Sequence, residues 1–128
     1  MQPWIMIQRG MVTGWEDKMN IREELGKRML FFDGGLGSLL QARGLKPGEL
    51  PETWNLSKPE ELLAIHKEYL EAGADIILAN TFGANRFKYD HLQEIVEAAV
   101  KNAKKAAEEC GRNAYVALDL GPTGKLLK

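Results

Sequence analysis

Cysteine is almost absent from this chain: Cys110 stands alone among 128 residues. A single thiol excludes an internal disulfide framework and fits a reducing, cytoplasmic compartment. It also excludes a cysteine-rich metal site built from these residues alone. Histidine is nearly as scarce, with only His66 and His91, and their separation is not that of close metal ligands. No apolar run approaches the ~20 residues that a membrane span needs. Neither sign of charge is in surplus, with 17 Lys and Arg against 18 Asp and Glu. That balance, with acids and bases interspersed, leaves no footprint for nucleic acid and no polybasic contact for a membrane surface.

What remains is an apolar content of 45%, enough for a packed core in a chain of single-domain length. The first eighteen residues, "MQPWIMIQRGMVTGWEDK", differ from the rest. They hold Trp4 and Trp15 of the three tryptophans and Met1, Met6 and Met11 of the five methionines. They lack a clean apolar centre and a small-residue cleavage site, so they make a poor signal peptide. We read residues 1–18 as an amino-terminal extension, with Met19 as an alternative start, and residues 19–128 as the domain.

From Asn20 onward the periodicity becomes regular. "NIREELGKR" (20–28) predicts a short amphipathic helix, and "MLFF" (29–32) a buried strand. A short helix is expected over 38–43, stopped by Gly44, and "LKPGELPETWNL" reads as a loop. "SKPE" predicts a capping box, with Ser57 opening a helix and Glu60 three residues on. Its apolar stripe is Leu62, Ile65, Tyr69 beside Leu63, His66, Leu70, and Gly73 ends it. "ADIILAN" (74–80) is a second strand. After a polar loop, a long helix runs from about Asp90 to Glu109, with Leu92, Val96, Ala99, Ala103, Ala106 and Cys110 as its stripe and Gly111 at its close. "NAYVALDLG" (113–121) is the third strand. Strand, helix, strand, helix, strand implies a parallel sheet covered by helices. Both an open doubly wound sheet and part of an eight-stranded β/α barrel satisfy this order, and in both, ligands gather beyond the carboxyl ends of the strands.

All three strands end in polar residues and glycines: Asp33-Gly34-Gly35, Asn80-Thr81-Phe82-Gly83, and Asp119-Leu120-Gly121-Pro122-Thr123-Gly124. Glycine admits a ligand close to the backbone, and exposed amides there suit a carboxylate. Asp33 would then accept from a ligand's cationic amine. The plainer alternative is that Asp33 and Asp119 cap their own turns. "DGGLG" lacks the G-x-G-x-x-G spacing of a dinucleotide fingerprint, and "GPTGK" is too short between its glycines for a phosphate loop.

Three motifs in order, "LFFDGGLGSLLQARG", "PETWNLSKPEELLAIHKEYLEAGADIILANTFGANRFK" and "ALDLGPTGKLL", resemble the homocysteine S-methyltransferase family across about residues 19–128. The wording of "NTFGANR" and "GPTGKLL" is most similar to the amino-terminal homocysteine-binding domain of the cobalamin-dependent methionine synthases. The resemblance implies a (β/α)8 TIM barrel, of which this chain would be the amino-terminal part. It implies homocysteine at the carboxyl-end rim, its sulfur held as thiolate by a zinc ion on three cysteines. The thiolate then takes a methyl group from methylcobalamin or, in sister enzymes, from a sulfonium or betaine donor. In the cobalamin branch, folate and cobalamin domains follow the barrel.

Carried onto this sequence, the resemblance implies that Asp33 binds the homocysteine amino group and that the Gly34 backbone lies against the amino-acid end. Asn80, Thr81 and Asp119 stand beside them as further substrate-binding rim positions. The family's zinc cysteines lie on later strands than these residues reach, so no zinc or cobalamin is expected on this chain alone, nor activity. Cys110, on an apolar stripe at a helix end, is no substitute, and His66 reads as packing. Trp54 and Asn55 read as ties across their loop. A barrel takes ~250 residues, so "MLFF" and "YVALDL" should leave open edges that recruit a second copy. A homo-oligomer is therefore expected, with fold-back of the segment carrying Trp4, Ile5 and Ile7 as the alternative. The rival readings are a non-catalytic oligomerising β/α module and a betaine- or S-methylmethionine-dependent member of the family.

Overall fold

A computed structural model describes the backbone at residues 8–9 and the chain over residues 20–127. The assignments made above for Trp4, Trp15, Ile5, Ile7 and Met19 lie outside the described residues. In chain order the elements are β1 (Gln8–Arg9), α1 (Ile21–Glu24), α2 (Gly37–Ala42), a 3-10 turn (Pro51–Thr53), α3 (Trp54–Ser57), α4 (Pro59–Glu71), β2 (Ile76–Leu78), α5 (Leu92–Cys110) and β3 (Tyr115–Ala117).

The sheet is mixed, in the order β1-β3-β2. β2 and β3 run parallel in the register Ile76↔Tyr115, Ile77↔Val116 and Leu78↔Ala117. The expected first strand survives only as an isolated parallel bridge, Phe32↔Ile76. One reason is visible at its flanks: Met29, Phe31 and Phe32 are largely exposed, so few contacts hold that segment in a long ladder. Asp33 N–H nevertheless donates to Ile76 O at 2.9 Å, so the chain leaves the bridge in the same direction as β2 and β3.

Alternation along the strands sorts two faces. Ile77, Ala79, Ala114 and Val116 pack with Leu70 of α4 and Ala99, Ala103, Ala106 and Ala107 of α5. Small residues on α5 let that helix lie close to the sheet. The other face carries Ile76, Tyr115 and Ala117, against which Ile21, Leu30 and Leu78 pack. A separate cluster of Leu40, Leu45, Trp54, Leu62 and Ile65 joins α2 to α3 and α4.

The amino end of the sheet is closed by a polar network. Tyr115 Oη donates to Glu24 Oε1 at 2.7 Å, while Arg28 Nε reaches Glu24 Oε2 at 2.9 Å and Nη1 reaches Asp75 Oδ1 at 3.1 Å. The other Asp75 oxygen accepts the Phe31 N–H at 3.0 Å. These groups satisfy one another, which leaves the carboxyl end as the place to look for a ligand.

Two local expectations change. "LKPGELPETWNL" is not all loop, because Pro51 opens a 3-10 turn that runs directly into α3. Ser57 is not a helix cap. It is the last residue of α3, and its hydroxyl donates back to Thr53 O at 3.1 Å. Lys58, at φ −141° and ψ 56°, breaks the helical path, as a residue before proline tends to, and Pro59 starts α4 afresh. α5 begins at Leu92 and ends at Cys110, capped by Gly111, whose φ of 63° is left-handed. Its fully buried residues are Ile95, Ala99, Ala103, Ala106 and Ala107, so the stripe is rotated slightly from the one predicted.

The homo-oligomer expectation assumed that both outer strands were open. The outer side of β3 is occupied: Gln8 pairs with Val116 and Arg9 with Tyr115, antiparallel.

Candidate functional site

Because the Phe32 bridge, β2 and β3 run parallel, their exits share one rim. The first exit places Asp33 at the rim with its two carboxylate oxygens in different situations. Oδ2 accepts the Leu78 N–H at 3.0 Å, which fixes the side chain against β2. Oδ1 is shielded from solvent and has no hydrogen-bond partner. Burial pushes the carboxyl up to about 6, against the Leu78 N–H, and the charge of Asp119 adds to the rise. A turn cap would have spent its oxygens on the amides of its own turn. Asp33 instead spends one on a neighbouring strand and keeps the other unpartnered.

Gly34 and Gly35 follow. Tyr69 of α4 donates its hydroxyl to Gly35 O at 2.8 Å. A Cβ on Gly34 would sit 2.9 Å from the Tyr69 hydroxyl oxygen, so the glycine lets the phenol reach the turn. Burial raises the Tyr69 pKa and the Asp33 charge raises it further, which keeps the phenol a donor.

The second and third exits are tied to each other through Thr81. Its Oγ1 donates to Asp119 O at 2.8 Å and accepts from Asp119 N–H at 3.0 Å. Asp119 is thereby held by its main chain, half-buried, close enough for its charge to act on Asp33. Gly121 N–H donates to Phe82 O at 3.0 Å, and a Cβ there would meet that oxygen at 2.4 Å, so no larger residue fits without a shift. Replacing Thr81 with Val should cost about 1–2 kcal/mol through a buried main-chain pair left unsatisfied. Urea unfolding measures it, and an unchanged midpoint would show that the tie is dispensable.

Asn80 is buried, and its amide donates to Pro51 O and to Asn55 Oδ1, both at 3.0 Å. Asn55 in turn donates to Asn80 O at 2.9 Å and Trp54 Nε1 to Glu49 Oε1 at 2.8 Å, so the two loop residues are ties, as expected. Of the five rim positions named from the sequence, Asp33 and Asp119 are half-buried with the charge of one acting on the other, and Gly34, next to Asp33, is exposed. The donors of Asn80 and Thr81 are engaged inside the protein.

Two further residues shape the rim. Glu52 is buried and accepts the Gly83 N–H and the Tyr89 hydroxyl, each at 2.5 Å. It anchors the loop that follows β2. Burial, reinforced by the hydrogen bond to Glu52, raises the Tyr89 pKa and keeps that hydroxyl a donor. Tyr69 and Glu52 were not singled out as site residues. The available signals were a tyrosine rather than a leucine on an apolar stripe, and a carboxylate between Pro51 and Trp54.

The residues present do not fit a zinc centre. Among the described residues no group of three His, Cys, Asp or Glu is gathered as ligands. Cys110 lies at the carboxyl end of α5, which precedes β3, and so belongs to the opposite end of the sheet from the rim. It packs against the α4–α5 cluster, and burial pushes its thiol pKa up, away from the thiolate that zinc needs. Metal loading followed by dialysis should leave no stoichiometric zinc, and one tight ion per chain by elemental analysis would overturn that expectation.

Comparison with known proteins gives concordant matches. The homocysteine S-methyltransferase family profile matches residues 30–128. A methionine synthase of Mycobacterium tuberculosis is 31% identical over 122 residues, covering 84% of this chain and 10% of that protein. Crystal structures of the homocysteine methyltransferase MmuM from Escherichia coli superpose at 24% identity and TM-score 0.66 for the metallated form and at 25% and 0.64 for the apo form. The metallated form covers 81% of this chain, which in turn spans 42% of that structure. This chain thus spans about a tenth of the curated relative and about two fifths of these structures. Among the described residues no helix is long and apolar enough to cross a membrane.

Proposed function

Since the chain belongs to the homocysteine S-methyltransferase family, we propose that it is the amino-terminal part of that family's (β/α)8 barrel and binds the amino-acid end of homocysteine at the rim. The observation that carries this is Asp33 Oδ1, an acceptor shielded from water and without a partner. A carboxylate in that situation favours an ammonium group: the cation restores the missing hydrogen bond and offsets the cost of ionising a buried acid beside Asp119.

In this reading Asp33 orients the substrate by its amine. Gly34 admits the amino-acid end close to the backbone, and Tyr69 and Thr81 hold the rim in shape. Asp119 strengthens the negative field without touching the reacting sulfur. The role assigned to these residues is to bind and orient the amino-acid end of the substrate, and no transfer step is assigned to them. The resemblance of "NTFGANR" and "GPTGKLL" to the cobalamin-dependent methionine synthases supports that branch as the source of the methyl group, with folate and cobalamin domains as its partners, and a methionine synthase is among the relatives found.

Amide shifts in a titration of the chain test the reading. Homocysteine should move the resonances of Asp33 to Gly35, and its desamino analogue, 4-mercaptobutanoate, should not. Equal shifts from both, or none from either, would remove amine recognition from this rim.

A further inference from the structure

We infer that Tyr69 is a positioning residue for Asp33: by holding Gly35 O it fixes the turn through which the chain leaves the first strand segment, and so keeps the Asp33 carboxylate sheltered. Its effect on a ligand rests on the reading of Asp33 as the amine acceptor. On the sheet side Asp33 is held twice, by its own N–H on Ile76 O at 2.9 Å and by the Leu78 N–H on Oδ2 at 3.0 Å. Beyond Asp33, one hydrogen bond among the described residues reaches Gly34 or Gly35. It is the Tyr69 hydroxyl donating to Gly35 O at 2.8 Å.

Tyr69 is built as a strut. It packs against both the sheet cluster of α4 and α5 and the Trp54 cluster, so its ring is anchored on two sides. The ring lies along Gly34, where a Cβ would meet Oη at 2.9 Å, Cε1 at 3.2 Å and Cζ at 3.4 Å. Gly34 is not among the glycines with positive φ, so its backbone does not itself call for glycine. The space taken by the phenol accounts for the missing side chain. The hydroxyl spends its hydrogen on a neutral carbonyl, and Asp33 Oδ1 stays without a partner, so the turn is held without neutralising the carboxylate. The other charges that bear on the pair are Asp119 across the rim and Glu68 beside Tyr69 on α4, and Glu68 is itself paired with Arg43.

NMR titration of the Asp33 side-chain carboxyl, on the full chain without ligand, tests the proposal in the native protein, in Tyr69→Phe and in Gly34→Ala. Phenylalanine keeps the packing and removes only the bond to Gly35 O, whereas alanine keeps the hydroxyl and pushes it off the turn. The native midpoint is expected at about 6. With the turn released, water reaches Oδ1, and both variants should titrate about one pH unit lower. Leu63→Ala trims the same helix where it packs on the sheet cluster, so it should lower the urea midpoint and leave the Asp33 titration in place. Homocysteine affinity at pH 7 should fall about tenfold in Tyr69→Phe. If the alanine variant fails to fold, the phenylalanine variant decides alone. An Asp33 midpoint that stays or rises in Tyr69→Phe overturns the proposal, and so does an equal shift in Leu63→Ala. A native chain that binds no homocysteine, while Tyr69→Phe still lowers the midpoint, removes amine recognition from the rim and upholds Tyr69 as the residue that places Asp33.

Discussion

Acidifying the protein from pH 7 to pH 4 should cost about 3 kcal/mol of stability through one side chain, His66. This imidazole, on the inner side of α4, is 1% exposed, and neither ring nitrogen has a hydrogen-bond partner. Burial alone lowers its pKa to about 4, from 6.5 in the unfolded chain. Between those values the unfolded state binds a proton that the folded state refuses, so stability falls as pH falls. The loss begins near pH 6.5 and levels off below about 4. Asp33 acts with the opposite sign in part of the same window. Its pKa is raised to about 6, so the fold gains as pH drops from there towards the ordinary carboxylate range. The comparison that isolates His66 is therefore the native chain against His66→Leu, in which the Asp33 contribution cancels. Urea unfolding at a series of pH values should give two curves that diverge below pH 6.5, with the Leu variant the more stable at pH 4. Parallel curves would mean that His66 has a partner or a path to water.

His66 also illustrates what was legible in the sequence. Its place on the apolar stripe of α4 follows from periodicity, and so does most of the buried face of α5, because helical spacing is local information. Gly111 as a helix stop and Asp33 at the exit of the first strand segment are equally local. The stretch 45–57 was not legible. It folds into a 3-10 turn and a short helix because Trp54 is buried among Leu40, Leu62 and Ile65, and because Asn55 is held by Asn80, Ile95 and Asn102. The partners of Asn55 lie 25 to 47 residues away, and no window of sequence contains them. The same holds for Thr81, which resembles a rim ligand until its hydroxyl is found on the main chain of Asp119. A two-residue strand such as Gln8–Arg9 carries no periodicity at all.

The candidate site divides along the same line. The type and position of Asp33 were readable, but the asymmetry of its two oxygens depends on Leu78 and on the surrounding packing. That asymmetry sets the largest expected effect on ligand binding. Asp33→Asn should weaken homocysteine binding by about 2–3 kcal/mol, a loss on the order of 30- to 150-fold, because a charge-assisted hydrogen bond to the ammonium becomes a neutral one. The size and the Leu78 contact are nearly conserved, so stability should change little. A pH signature accompanies the loss. Only the ionised carboxylate attracts the amine, and Asp33 ionises near pH 6. Affinity in the native chain should therefore rise from pH 5 to pH 7, with proton release detectable by calorimetry in buffers of different ionisation enthalpy. The Asn variant should show neither. Binding that is unchanged in Asp33→Asn, or that keeps its rise with pH, would return Asp33 to the role of a turn residue and move the search to Asp119.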